Sequence, residues 1–240
     1  MSITPIPQVT RRPLPWPLAF YRTAVGKKWV MAITGIIMMG FVFAHMAGNL
    51  HLFQGERELN EYGASLRTIG GGLLPHSFAL WGLRIILLLA LAVHLHATWT
   101  LTQINRRSRP VRYQAGRNYQ AATFASRFMR WSGVFLLVYI IYHLLDLTIG
   151  WVNPDYRRDE PYHNLVASLQ NPIVAVFYIV AMLFLGIHLY HGAWSFFQSL
   201  GINNPRINAA RRSFGTAFAA IVTLGFMIVP IVIVTRLVGG

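Results

Sequence analysis

Nine histidines stand in this chain, and six of them, His45, His94, His96, His143, His188 and His191, interrupt long apolar runs. The other three, His51, His76 and His163, lie in outer segments or loops. An ionisable side chain inside an apolar segment is rare and usually functional. Neutral imidazole is a common metal ligand. Two imidazoles on facing elements can take opposite positions on one metal and leave none open, which suits electron transfer rather than oxygen activation. A lone His of this kind has two other roles, as a hydrogen-bonded packing residue or as a member of a proton relay. Pairing by depth separates these readings. Cys is absent, which excludes disulfides, thiolate metal sites, cysteine-bound iron–sulfur clusters and c-type haem attachment.

The elements that position these residues are apolar helices. The 240 residues are 55% hydrophobic and 12% charged, with mean hydropathy +0.45; a soluble domain carries about twice that charged fraction. Five runs, about 29–53, 78–102, 127–151, 173–197 and 214–234, reach the roughly 20 apolar residues that a spanning helix needs. The first, fourth and fifth hold no Asp, Glu, Lys or Arg; the second holds only Arg84, and the third, from Trp131 on, only Asp146. The fold class is therefore an all-α integral membrane protein, a bundle of five transmembrane helices. Residues 1–28, with Pro5, Pro7, Pro13, Pro15 and Pro17, have no secretory-signal core and read as an extended, basic N-terminal arm. Residues 29–240 read as one membrane domain.

The charges sort by loop. Lys and Arg number 21 against 7 Asp and Glu, a formal +14. Fifteen of the basic residues lie on one side: Arg11, Arg12, Arg22, Lys27 and Lys28 in the arm; Arg106, Arg107, Arg109, Arg112, Arg117, Arg127 and Arg130 between the second and third runs; Arg206, Arg211 and Arg212 between the last two. All seven acids fall on the other side. Basic loops stay inside, so the N-terminus is expected in the cytoplasm and the C-terminus outside. Arg in short loops beside spans argues against nucleic acid as a partner. These loops serve topology, or a docking surface for a protein partner.

Depth then follows from the helical rise. His45 lies 16 residues above Trp29, roughly 24 Å. His143 reaches a similar height if its helix starts near Ser126. His94 lies 16 residues below Phe78 and His188 lies 15 below Ile173. So His45 and His143 share an outer level, and His94 and His188 an inner one, roughly 15–20 Å apart in a core about 30 Å thick. Such pairs in a bundle core suit two haems stacked across the membrane, each with two axial imidazoles. His94 and His96 point about 200° apart, so only one faces the centre. His191 shares a face with His188 and is a candidate contact for a haem propionate or a quinone; an interfacial polar residue is its other reading, and His51 has the same ambiguity. Arg84 and Asp146 stand near the outer level, where Arg84 is expected to face the interior and pair with an outer propionate or with Asp146.

At these residues the chain resembles a known family, the cytochrome b membrane subunit of succinate:quinone oxidoreductases in its five-helix, two-haem form. The resemblance covers nearly the whole chain. It is carried by GKKWVMAITGIIMMGFVFAHMAGNLHLF (26–53), LRIILLLALAVHLHATW (83–99), GVFLLVYIIYHLLDL (133–147) and FLGIHLYHGAWSFFQSLGI (184–202). It implies that His45 and His143 ligate the outer haem b, that His94 (rather than His96) and His188 ligate the inner one, and that menaquinone is the electron-transfer substrate. It further implies no succinate site on this chain. The chain would anchor an iron–sulfur subunit and a flavoprotein subunit on the cytoplasmic side of a bacterial cell membrane, as part of a respiratory chain. Two rivals are a haem-free proton-coupled secondary transporter, which predicts broken helices and a midplane polar site, and the haem subunit of another respiratory oxidoreductase, such as formate dehydrogenase or nitrate reductase.

Overall fold

The computed structural model describes residues 14–108 and 124–239. Arg11, Arg12, Arg109, Arg112 and Arg117 lie outside them, as does the side chain of Arg127. Among the described residues every regular element is helical, and five helices are long and apolar enough to cross a membrane. In chain order the α-helices are α1 (Trp16–Arg22), α2 (Ala24–Asn49), α3 (Glu56–Ser65), α4 (Phe78–Arg107), α5 (Phe124–Leu144), α6 (Pro161–Leu169), α7 (Pro172–Ser199) and α8 (Asn208–Val234). The chain is a multi-pass membrane protein, crossing with α2, α4, α5, α7 and α8.

The end of the basic arm differs from expectation. It is helical at Trp16–Arg22, and the first span already starts at Ala24. Pro17 sits in the first turn of α1, where a missing N–H costs nothing and the ring pre-sets φ. Thr23 then caps α2, its hydroxyl accepting from the Gly26 N–H at 2.9 Å. A side chain at Gly26 would strike the Phe20 carbonyl, so glycine there lets α1 fold onto α2. The fold buries Lys27, whose ammonium lies 4.1 Å from the Tyr21 ring centroid.

At the opposite, acidic end, α3 and α6 lie across the bundle. Leu52, Leu59, Leu165 and Leu169 are buried there with Tyr178, Val229 and Ile233. Removing a Leu from water contributes about 1.5–3 kcal/mol. The Asn60 side-chain oxygen accepts from the Tyr162 N–H at 3.1 Å and ties α3 to α6. The ion pairs Arg57–Glu58, Arg57–Glu61, Arg67–Asp159 and Arg157–Glu160 all lie at this end. They are largely exposed and stabilise little.

Between spans lipid removes the hydrophobic drive, so close approach depends on small residues. Ala175, Ala181 and Ala193 of α7 are wholly buried. Gly215 of α8 faces the backbone of Tyr190 and Trp194 so closely that even a methyl group would sit 3.3 Å away. Helix α7 thus packs on α8, α5 and α2, and α2 packs on α4. Extensive packing joins neither α2 to α5 nor α4 to α7 among the described residues. The two pairs of helices that carry the depth-matched histidines therefore face each other across gaps rather than in close backbone contact. Helix α4 turns Leu83, Ile85, Ile86, Leu88 and Leu89 outward, a face for lipid.

Candidate functional site

Across one of these gaps the His45 and His143 rings meet, 5.8 Å between centroids and nearly perpendicular. One metal atom bridging two imidazoles needs about 6 Å, two bonds of about 2 Å plus the two ring radii. His45 is framed by aromatic rings, with Phe41 at 5.2 Å and Phe226 at 5.7 Å. At the other level, His188 lies within electrostatic range of His94 and of His191.

Hydrogen-bond partners decide which ring nitrogen is free. The Thr34 hydroxyl donates its single proton to the Val30 carbonyl at 2.7 Å. Its oxygen also meets His94 Nδ1, 3.0 Å away. Ser132 repeats the arrangement: its hydroxyl donates to the Met129 carbonyl at 3.0 Å and its oxygen meets His188 Nδ1 at 3.1 Å. Tyr178 donates to Asp146 Oδ2 at 2.7 Å, and its oxygen faces His143 Nδ1 at 3.4 Å. Nδ1 of His94, His188 and His143 thus each meets a hydroxyl oxygen, and Nε2 is the ring nitrogen left for a metal. Metal-binding histidines almost always donate their second ring N–H in this way. Among the described residues no cluster of three or more His, Asp or Glu offers another metal cage. The donor set thus fits bis-imidazole ligation of an iron at each level.

The remaining candidates fall elsewhere. His96 is exposed and bonds Tyr21 of α1, with 2.5 Å between the phenol oxygen and Nδ1. Burial holds that phenol above its usual pKa, against a smaller opposing effect of Thr100, so Tyr21 keeps its proton. His191 lies 6.1 Å from the Trp194 ring, beside Tyr190 and Arg212. His51 stacks on Tyr62 at 4.6 Å. Gly48, next to the His45 region, makes room for that same Tyr62 ring.

Arg84 does not face the interior and does not pair with Asp146: it is exposed, on the outward side of α4 between Leu83 and Ile85. Its guanidinium lies 5.0 Å from the Trp81 ring centroid, one turn back on α4. Asp146, 1% exposed, instead accepts from Ser168 at 2.6 Å and Tyr178 at 2.7 Å. Two features separate the pair. Helix α4 packs on α2 rather than on α5, and α5 widens to a π-turn at Leu145–Ile149 that carries Asp146 toward α6 and α7.

Thr34, Ser132 and Tyr178 were not singled out from the sequence, although a signal for two of them is there. Thr34-Gly35 precedes His45 as Ser132-Gly133 precedes His143, both in the pattern S/T-G-x9-H. In each half the hydroxyl meets the His of the next span, and the glycine lies beside that ring's Cε1, 3.9 Å at Gly35 and 3.7 Å at Gly133 from where a Cβ would stand. The α2–α4 and α5–α7 halves are thus built alike at this level.

No curated protein and no solved structure matches the chain. A family model does: that of the succinate dehydrogenase/fumarate reductase transmembrane subunit, over residues 102–228. The matched stretch is more than half of the chain and holds four of the five spans' residues in whole or part, with Ser132, His143, Asp146, Tyr178 and His188. Five long apolar helices and this match over more than half of the chain place it in the family of succinate dehydrogenase/fumarate reductase transmembrane subunits, the membrane anchors of those complexes.

Proposed function

We propose that the chain is the di-haem form of this anchor, which passes electrons between an iron–sulfur subunit and menaquinone. His45 and His143 would hold one haem b, and His94 and His188 the second. Bound there, haem supplies one-electron chemistry without an open coordination position. The observation that carries this reading is the set of three imidazoles whose Nδ1 sides are occupied, leaving Nε2 for a metal. The chain's own part is to hold these rings in one tautomer and to keep water away from them in an apolar bundle. His191 is a candidate contact for a propionate or the quinone, and the small pocket of Tyr190, His191, Trp194 and Arg212 supports it in that role. The basic loops face the cytoplasm and dock the iron–sulfur subunit, with the flavoprotein beyond it. The transporter rival loses support from four spans that run unbroken over 26 to 30 residues. The formate dehydrogenase and nitrate reductase rivals lose it to the family match. A reduced-minus-oxidised visible spectrum with haem quantitation on the purified protein tests the reading. Two b-type haems per chain are expected; none overturns it.

A further inference from the structure

The two histidine levels differ in their surroundings. At the level of His94 and His188 both Nδ1 partners are neutral hydroxyls that pass their own protons to helix carbonyls. At the level of His45 and His143, the partner of His143 leads to a carboxylate. Tyr178 of α7 lies between His143 Nδ1 at 3.4 Å and Asp146 Oδ2 at 2.7 Å. Ser168 of α6 donates to the same oxygen at 2.6 Å. Asp146 is 1% exposed, and among the described residues it makes no ion pair with Lys, Arg or His. A buried carboxylate without a cation is costly inside a membrane and is kept where it has a task.

We propose that Asp146 is a positioning residue that acts through Tyr178 on the His143 imidazole and stabilises the oxidised state of the redox centre at that level. The inference rests on the proposed ligation by His143. Its physics is a polarised chain. The carboxylate draws the Tyr178 proton, and the Tyr178 oxygen becomes a better acceptor. The His143 N–H is pulled more strongly, and its Nε2 becomes a stronger donor. The oxidised centre carries one more positive charge than the reduced one. A stronger donor favours it. Removing the carboxylate or the phenol that relays it must raise the midpoint potential of this centre and leave the other centre unchanged.

The test is optical redox titration of both b components in the assembled complex. Asp146→Asn is expected to raise one component by roughly a tenfold change in its redox equilibrium, about 59 mV for one electron. The component that moves must be the one lost in His143→Ala. Tyr178→Phe is expected to raise the same component, and Asp146→Asn added to Tyr178→Phe must shift it much less than Asp146→Asn alone. Ser168→Ala removes a competing donor, leaves the carboxylate stronger and is expected to lower the same component. It and Tyr178→Phe carry the test if Asp146→Asn does not assemble. Additive shifts in the double variant, or shifts of Ser168→Ala and Tyr178→Phe in the same direction, overturn the proposal. If His143→Ala removes one component while Asp146→Asn leaves its potential unmoved, only this inference falls. If His143→Ala leaves both components, the ligation reading falls and this inference with it.

Discussion

Four imidazoles carry the functional reading, and single substitutions sort them. Haem content should fall from two toward one in His45→Ala and in His143→Ala, with the same component surviving redox titration in both. His94→Ala and His188→Ala should leave the other component. The same component missing from His45→Ala and His94→Ala would reverse the depth assignment. His96→Ala should keep both haems, because that ring bonds Tyr21 rather than the bundle interior. The hydroxyls give an independent check. Thr34→Val and Ser132→Ala each leave one imidazole without its Nδ1 partner, which typically costs 10–100-fold in metal affinity. Both should weaken haem retention at one shared level, measured by loss to a haem-scavenging protein, and Thr34→Ser should restore it. The His pairs could be read from the sequence because depth in a helix is arithmetic. The hydroxyls could not be read by that arithmetic, since Thr and Ser are unremarkable in spans until their direction is known.

Helix α1 is the element the sequence reading placed least well. Its proline-rich segment promised extended chain, yet Pro17 at the start of a helix is a start signal as well as a breaker. Its docking depends on Gly26. Gly26→Val puts a branched side chain against the Phe20 carbonyl. Overpacking of this kind costs about 1–3 kcal/mol. The expected result is a lower thermal midpoint in detergent and faster proteolysis within residues 14–23, with both haems retained. Loss of haem together with α1 would show instead that α1 supports the inner histidines through Tyr21 and His96.

At the scale of the whole molecule, charge asymmetry sets two expectations. The chain is free of Cys, so single labels report sidedness. Leu73→Cys, in the loop before α4 and 94% exposed, should react with an impermeant maleimide in intact cells. Ile207→Cys, at the arginine-rich end, should react only after the membrane is opened. The reverse pattern would invert the topology. Charge reversal at Arg107 together with Arg109 should weaken co-purification of the soluble subunits, more at low salt than at high salt, because screening already weakens the native contact. Unchanged co-purification at both salts removes the docking role of that loop.

The sequence alone determined what depends on distance along a helix: five spans from run length, the sidedness expectation from loop charge, and two His levels from a constant rise per residue. Direction around the helix and packing between helices depend on contacts distant in sequence, and only the tertiary structure decided them. Arg84 and Asp146 show the difference. Both lie near one depth, so depth paired them. The packing of α4 on α2 and the π-turn in α5 turn them to different neighbours, Trp81 for one, Ser168 and Tyr178 for the other. The Nδ1 partners of His94, His188 and His143 were decided the same way, by hydroxyls that other helices bring within 3.0 to 3.4 Å.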